Sequence, residues 1–165
     1  MKKIIALIVV CIMMFSFTGC EKKDDGNTLD VFYLNIDATA TVPEKYELKS
    51  SDESVDKQVD ELLDKLSSKP DDSKLRKTIP DDVEIRKHEE NAYSCTIDFS
   101  KSYYDMTAAE EVLMRASVVR TLTQLKQITY VMFTVDKAPL MNSDGEIIGS
   151  MNADDFVENP GEQIN

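Results

Sequence analysis

Apolar positions along this chain fall into segments of two periods, preceded by one unbroken apolar block. The block, residues 4–17, holds no charged side chain and follows Lys2 and Lys3, the arrangement of a secretory signal. Its 14 residues would reach about 21 Å as a helix at ~1.5 Å each, short of the ~30 Å hydrocarbon core of a bilayer. It therefore reads as a removable export signal and not as a permanent span.

Residues 29–36 alternate, with Phe32, Leu34 and Ile36 on one side and Val31 and Tyr33 on the other. Both faces are apolar, so this strand belongs in the interior. A weaker extended segment covers 41–49. Period then changes: Val55, Val59, Leu62, Leu63 and Leu66 recur at helical spacing, with Asp56, Lys57, Asp60, Glu61 and Lys65 turned to water, an amphipathic helix over 54–66. The polar stretch 67–82 carries Pro70 and Pro80, and Leu75 and Ile79, four apart, predict one short helical turn tucked inward.

Alternation returns at Val83 and Ile85, and again at Tyr93, Cys95, Ile97 and Phe99, predicting a hairpin that turns at 89–91. Thr107 followed by Glu110 is a capping box opening a second helix. Its predicted buried stripe is Val112, Ala116, Val119 and Leu122. Residues 130–135 form another strand, and Ser143, Asp144 and Gly145 turn the chain into a last strand at 146–148. The order strand, helix, strand, strand, helix, strand, with a terminal hairpin strand, predicts an α+β fold. Its form would be a two-layer sandwich, two helices packed on one face of a mixed or antiparallel sheet.

The apolar block ends in Phe17, Thr18, Gly19 and Cys20, a lipobox-like run. Small residues beside the Cys let the backbone enter a narrow peptidase site and leave the thiol free to take a lipid. The expected organisation is a cleaved signal at 1–19, a tether at 20–28 beginning with lipid-bearing Cys20, a folded domain at 29–157 and a disordered tail at 158–165. The expected location is the extracytoplasmic face of a bacterial membrane, with acyl chains as the anchor. Cys11 leaves with the signal and Cys20 is consumed by lipid, so Cys95 remains as a lone thiol and no internal disulfide forms. Removal of Lys2 and Lys3 leaves 17 basic against 31 acidic residues, a charge of about −14. That surface repels nucleic acid and argues against it as a partner.

Four landmarks carry a family resemblance: Thr78-Ile79-Pro80 before the hairpin, Ile97-Asp98-Phe99-Ser100 closing it, Arg120-Thr121-Leu122-Thr123 in the second helix, and Val131 to Asp136 in the following strand. In their order and spacing the chain resembles a GerMN domain, the sporulation and spore germination module of envelope proteins. The resemblance spans about 29–157. Two positions depart from the family pattern: Lys69 before Pro70, and Lys137 after Asp136, where the family tends to have Gly. The resemblance implies a non-catalytic scaffold or interaction domain that binds envelope proteins during sporulation, germination or cell-wall remodelling. The alternative is a cell-wall glycan or small-ligand binding module, with a peptidoglycan-modifying enzyme behind it.

The candidate chemical residues fit this expectation of no catalytic, cofactor or metal site. His88 is the single histidine, which removes paired-histidine metal sites, and it reads as exposed at the polar end of a strand. Asp98, Ser100 and Asp105 form no nucleophile with a base beside it, and Asp98 and Ser100 read as turn-tying hydrogen-bond partners. Thr121 and Thr123 read as packing residues and Asp136 as a turn residue. Asn142, Asp144, Gly145 and Glu146 faintly resemble a calcium loop, but Leu140 stands where its first acid belongs, so a hairpin turn is expected. Cys95 reads as an inert core thiol, and Tyr103 and Tyr104 as packing at the core edge in preference to a contact patch.

Overall fold

Val31, Tyr33 and Leu34 are almost wholly buried, and their strand β1 (Thr28–Asn35) forms the spine of the first sheet. The computed structural model describes residues 27–156; the expected signal, Cys20 and the 158–165 tail lie outside the described residues. β1 pairs antiparallel along its length with β2 (Thr41–Glu47), and at Leu34 and Asn35 with β3 (Leu75–Arg76). Beyond β3, the free edge of β1 is closed by side chains. Gln124 exchanges hydrogen bonds with the Asp30 N–H and C=O at 2.8 and 2.7 Å, and Thr121 Oγ1 accepts from Phe32 N at 3.1 Å. Thr78 Oγ1 donates to Phe32 O at 2.9 Å. These polar contacts satisfy backbone groups that burial would otherwise leave unpaired.

The first helix, α1 (Val55–Ser67), buries Val59, Leu62, Leu63 and Leu66 as its period predicts. Its C-terminal carbonyls are met from outside: Leu66 O accepts from Thr78 N and Ile79 N at 2.9 and 3.0 Å, and Lys65 O accepts from the Tyr33 hydroxyl at 3.2 Å. Burial, with Glu44 nearby, pushes the Tyr33 hydroxyl up to about 12, so it remains a donor. Leu75 and Ile79 are buried, Leu75 in strand β3 and Ile79 in the bend after it, and not through a helical turn. β1 offers an edge that two residues of Leu75–Arg76 complete, and this outcompetes a one-turn helix.

The second sheet has the order β4 (Ile85–Asn91), β5 (Ser94–Phe99), β6 (Tyr130–Val135), β7 (Ala138–Pro139). β4 and β5 are antiparallel, while β5 and β6 run parallel. A parallel pair needs a long crossover, supplied by α2 (Ala108–Leu122). The α+β class holds, and the strands divide between two sheets. α2 lies against β1 and also reaches β6 and the short helical turn Ala153–Asp155. It is buried around most of its circumference from Leu113 onward, including Ser117 and Thr121. Val112 departs from the expected stripe and is exposed, because at this end of α2 the same helix face opens on a surface groove. The capping box is present in full, with Thr107 Oγ1 accepting from Glu110 N.

Three boundaries differ from the sequence reading. Ile36 lies past the end of β1 and is exposed, because Asn35 turns the chain by accepting from Thr39 N and Ala40 N at 2.8 and 3.1 Å. The β4–β5 turn sits at Ala92 and Tyr93, so Glu89, Glu90 and Asn91 are strand residues paired with Thr96, Cys95 and Ser94. β4 is an edge strand of mostly polar residues, of which Ile85, His88 and Glu90 are partly buried and the rest exposed. Residues 146–148 form a single bridge, Met141 to Ile147, in place of a regular strand. Among the described residues, no helix is long and apolar enough to cross a membrane.

At the β6–β7 connection, Asp136 and Lys137 both have positive φ, 53° and 68°, the two-residue loop that twists with its strands. A lysine there is strained where glycine is not. Lys137→Gly is expected to raise stability by about 0.5–1 kcal/mol in urea unfolding. An unchanged or lower midpoint would contradict the strain assigned to this turn.

Candidate functional site

Two surface features gather chemistry-bearing side chains. The first is a groove beside the N-terminal half of α2. Its floor is Tyr103, a 1% exposed residue carried by the helical turn Lys101–Asp105. The ring tilts against Phe99 at 5.4 Å and meets Tyr104 edge-on at 5.8 Å. Its hydroxyl donates to Glu111, and Glu111 accepts the Arg115 fork through Nε at 2.6 Å and Nη2 at 2.9 Å. Burial, followed by the Glu111 hydrogen bond, raises the Tyr103 pKa far above its ordinary value, so this hydroxyl stays protonated and structural.

Above this floor the groove, about 610 Å³, is lined by Tyr104, Val112, Leu140, Met141 and Ile148. Tyr104, Val112 and Met141 are 58%, 45% and 49% exposed, and Ile147, bridged to Met141, is 64% exposed. The two adjacent tyrosines thus separate. Tyr103 is core as expected, whereas Tyr104 belongs to a contiguous exposed apolar rim that sequence reasoning passed over. Val112 at the start of the capped helix was the available signal.

The second feature lies where α1 faces β4. His88 is not an exposed strand end: its side chain is 12% exposed and engaged on both nitrogens. Nδ1 lies 2.7 Å from Glu90 Oε1 and Nε2 lies 2.8 Å from Asp60 Oδ1. Burial pulls the imidazole pKa down, but the hydrogen bonds to Asp60 and Glu90 outweigh it and the net shift is upward. The His88 hydrogen bond correspondingly holds Asp60 below the usual carboxylate range. Donor atoms of Asp56, His88 and Glu90 lie within 4.8 Å of one another.

The other candidates are structural. Asp98 Oδ1 accepts from Thr134 Oγ1 and Lys137 N, both at 2.7 Å. Ser100 Oγ accepts from Glu84 N at 3.1 Å. Both tie strands and turns, as their sequence positions predict; Asp105 is exposed at the end of its helical turn. Thr123 bonds back to Val119 O at 2.8 Å. Asp136 pairs with Arg86 and, at 3.3 Å, with Lys101. Asn142 Oδ1 accepts from Asp144 N and Glu146 N at 3.0 and 2.9 Å, a self-contained turn with Gly145 at φ 79° and Leu140 buried. Cys95 is fully buried, and burial, then the nearby Glu90, pushes its thiol up to about 12, which keeps it un-ionised and unreactive.

The sequence pattern of the Germane family, sporulation and spore germination, matches residues 30–141. The chain belongs to this family. The GerMN fold is shared with solved structures at low identity. The first GerMN domain of the sporulation protein GerM from Bacillus subtilis superposes with a TM-score of 0.60 at 17% identity, over 78% of this chain and 98% of that one. The tandem GerMN domains of the same protein give 0.59 at 18%, over 82% of this chain and 50% of that one, so this chain spans about half the tandem. A candidate lipoprotein from Clostridium perfringens gives 0.50 at 18%, over 81% and 95%. None of the curated proteins matches in sequence.

Proposed function

We propose that this GerMN-family chain is a lipid-anchored protein of the cell envelope whose domain acts as a non-catalytic interaction module, binding other envelope proteins in sporulation, germination or wall remodelling. The observation that carries it is the apolar rim of Tyr104, Val112, Met141 and Ile147 on an otherwise strongly acidic domain. Exposed contiguous apolar surface of this kind marks protein contact sites, and an aromatic beside an Arg is the side-chain chemistry such contacts favour. The anchor is supported by the Phe17-Thr18-Gly19-Cys20 run behind an apolar block. Two or three acyl chains at ~0.8 kcal/mol per buried methylene hold a protein stably at a bilayer.

The test is photo-crosslinking of the full-length chain in its native membrane, with the probe at Tyr104 or Met141 and, as control, at Asp64 on the opposite helix. A discrete envelope-protein adduct from the groove positions alone, lost with Cys20→Ala as the chain leaves the membrane fraction, is the expected result. Equal adducts from all three positions, or turnover of peptidoglycan by the purified chain, would overturn it. Saturable binding of peptidoglycan fragments that Tyr104→Ala abolishes would replace it with the glycan-binding reading.

A further inference from the structure

The junction of α1 and β4 has the geometry of a cation site. Asp56 and Asp60 are one helical turn apart and share a face of α1, while His88 and Glu90, two apart on β4, share a face of the strand. Packing sets the two pairs opposite one another. The Asp56, His88 and Glu90 donor atoms lie within 4.8 Å of one another; ligands that each sit ~2.0–2.2 Å from one ion stand at most ~4.4 Å apart, so binding needs only a small closure of the three.

The arrangement also supplies what a bare cluster of acids lacks. The imidazole is fixed among carboxylates: Asp60 holds Nε2 at 2.8 Å, and Nδ1 lies 2.7 Å from Glu90 Oε1, a contact whose proton an ion on the Asp56 side would replace. A carboxylate on the second ring nitrogen is the usual support of a metal-bound histidine, since it sets the tautomer and raises basicity. His88 and Glu90 are the sheltered donors, 12% and 17% exposed, and Asp56 lies exposed at the mouth, giving an ion a path from solvent. Asp56, Asp60, Asp64 and Glu90 stand here against His88, Lys57, which is 3.6 Å from Asp60, and Arg86 and Lys87, whose charges are met by Asp136 and Glu89, so a dication improves the local charge balance. One nitrogen with two oxygens suits borderline first-row ions better than calcium, which takes oxygen ligands, or soft ions, which take sulfur.

We propose that Asp56, His88 and Glu90 bind one divalent first-row transition ion of the zinc type, with Asp60 as the positioning residue behind the imidazole. The ion staples α1, which packs on the first sheet, to the edge strand of the second. The inference is independent of the proposed partner contacts, which lie at the other helix.

The experiment is calorimetric titration of ZnCl₂ into the tag-free, EDTA-stripped full-length chain in detergent, with melting followed in parallel. One equivalent should bind with a dissociation constant of about 10 μM or tighter, and the melting temperature should rise and return with EDTA. Asp56→Asn and His88→Gln should each weaken binding at least about tenfold, while Asp144→Asn leaves it unchanged. Asp56 is exposed, so its variant tests the site even if His88→Gln alters folding in EDTA. No saturable binding below about 1 mM, or undiminished binding in Asp56→Asn, would overturn the proposal.

Discussion

Phe99→Ala is expected to lower the free energy of unfolding by about 3–5 kcal/mol, the cost of emptying an aromatic site in a packed core. Phe99 is fully buried at the end of β5, tilted against Tyr103 at 5.4 Å and stacked on Phe133 at 6.0 Å. It therefore joins the second sheet to the turn that carries both tyrosines of the groove. Both rings lose a packing partner at once, and the rigid backbone around β5 and β6 collapses only partly into the space. Since domains of this size are stable by only about 5–15 kcal/mol, the variant should unfold at much lower urea, and the groove rim at Tyr104 should become mobile. Phe99→Leu, which keeps most of the volume, should cost markedly less. A loss under about 1 kcal/mol for the alanine variant would show that this aromatic cluster is not what holds the turn.

Glu61→Gln should destabilise the domain by about 1.5–2 kcal/mol near neutral pH, a value for hydrogen bonds to a charged acceptor discounted for partial solvent exposure. Glu61 points from α1 to the end of β2, where Oε1 accepts from the Tyr46 hydroxyl at 2.6 Å and from Lys49 N at 2.8 Å, and Oε2 accepts from Ser50 N at 2.8 Å. Burial alone would raise its pKa, but the hydrogen bonds from Ser50, Tyr46 and Lys49 win and hold it at about 2, against an ordinary 4.5. The folded pKa lies below the unfolded one, so the stabilisation is fully present above about pH 4.5 and is lost as pH falls toward 2. The stability difference between wild type and Glu61→Gln, measured by urea unfolding at a series of pH values, should be flat from pH 7 to 5 and shrink below that. A difference that grows on acidification would contradict the assignment. Tyr46 carries the reciprocal effect: burial and the Glu61 hydrogen bond push its hydroxyl up to about 12.

Elements whose chemistry is local were legible in the chain. The capped helix at Thr107, the amphipathic stripe of α1 and the β-rich run Tyr130–Val135 each state their structure through spacing within one segment. β3 was not legible, because Leu75 and Arg76 have no strand signal of their own and become a strand only against the free edge of β1. The polar reach of β4 was hidden for a related reason: its residues are polar on both faces, so hydropathy shows no alternation although His88 and Glu90 are sheltered. His88 illustrates what this cost at the candidate site. Its ring is met by Glu90, a close neighbour placed by the true register of β4, and by Asp60 from a helix 28 residues earlier. Neither contact follows from spacing once the hairpin turn is set three residues too early.

The sequence by itself determined the α+β class, the positions of both helices and the family, because period, capping and motif order act within short windows of chain. It also carried the whole case for export and for Cys20, which lies outside the described residues. Only the tertiary structure decided that the strands form two sheets, that Tyr103 is buried while Tyr104 is presented, and that His88 sits among carboxylates. Those outcomes depend on which edges and faces meet across long separations, and burial and electrostatic pairing are properties of that meeting and not of any one segment.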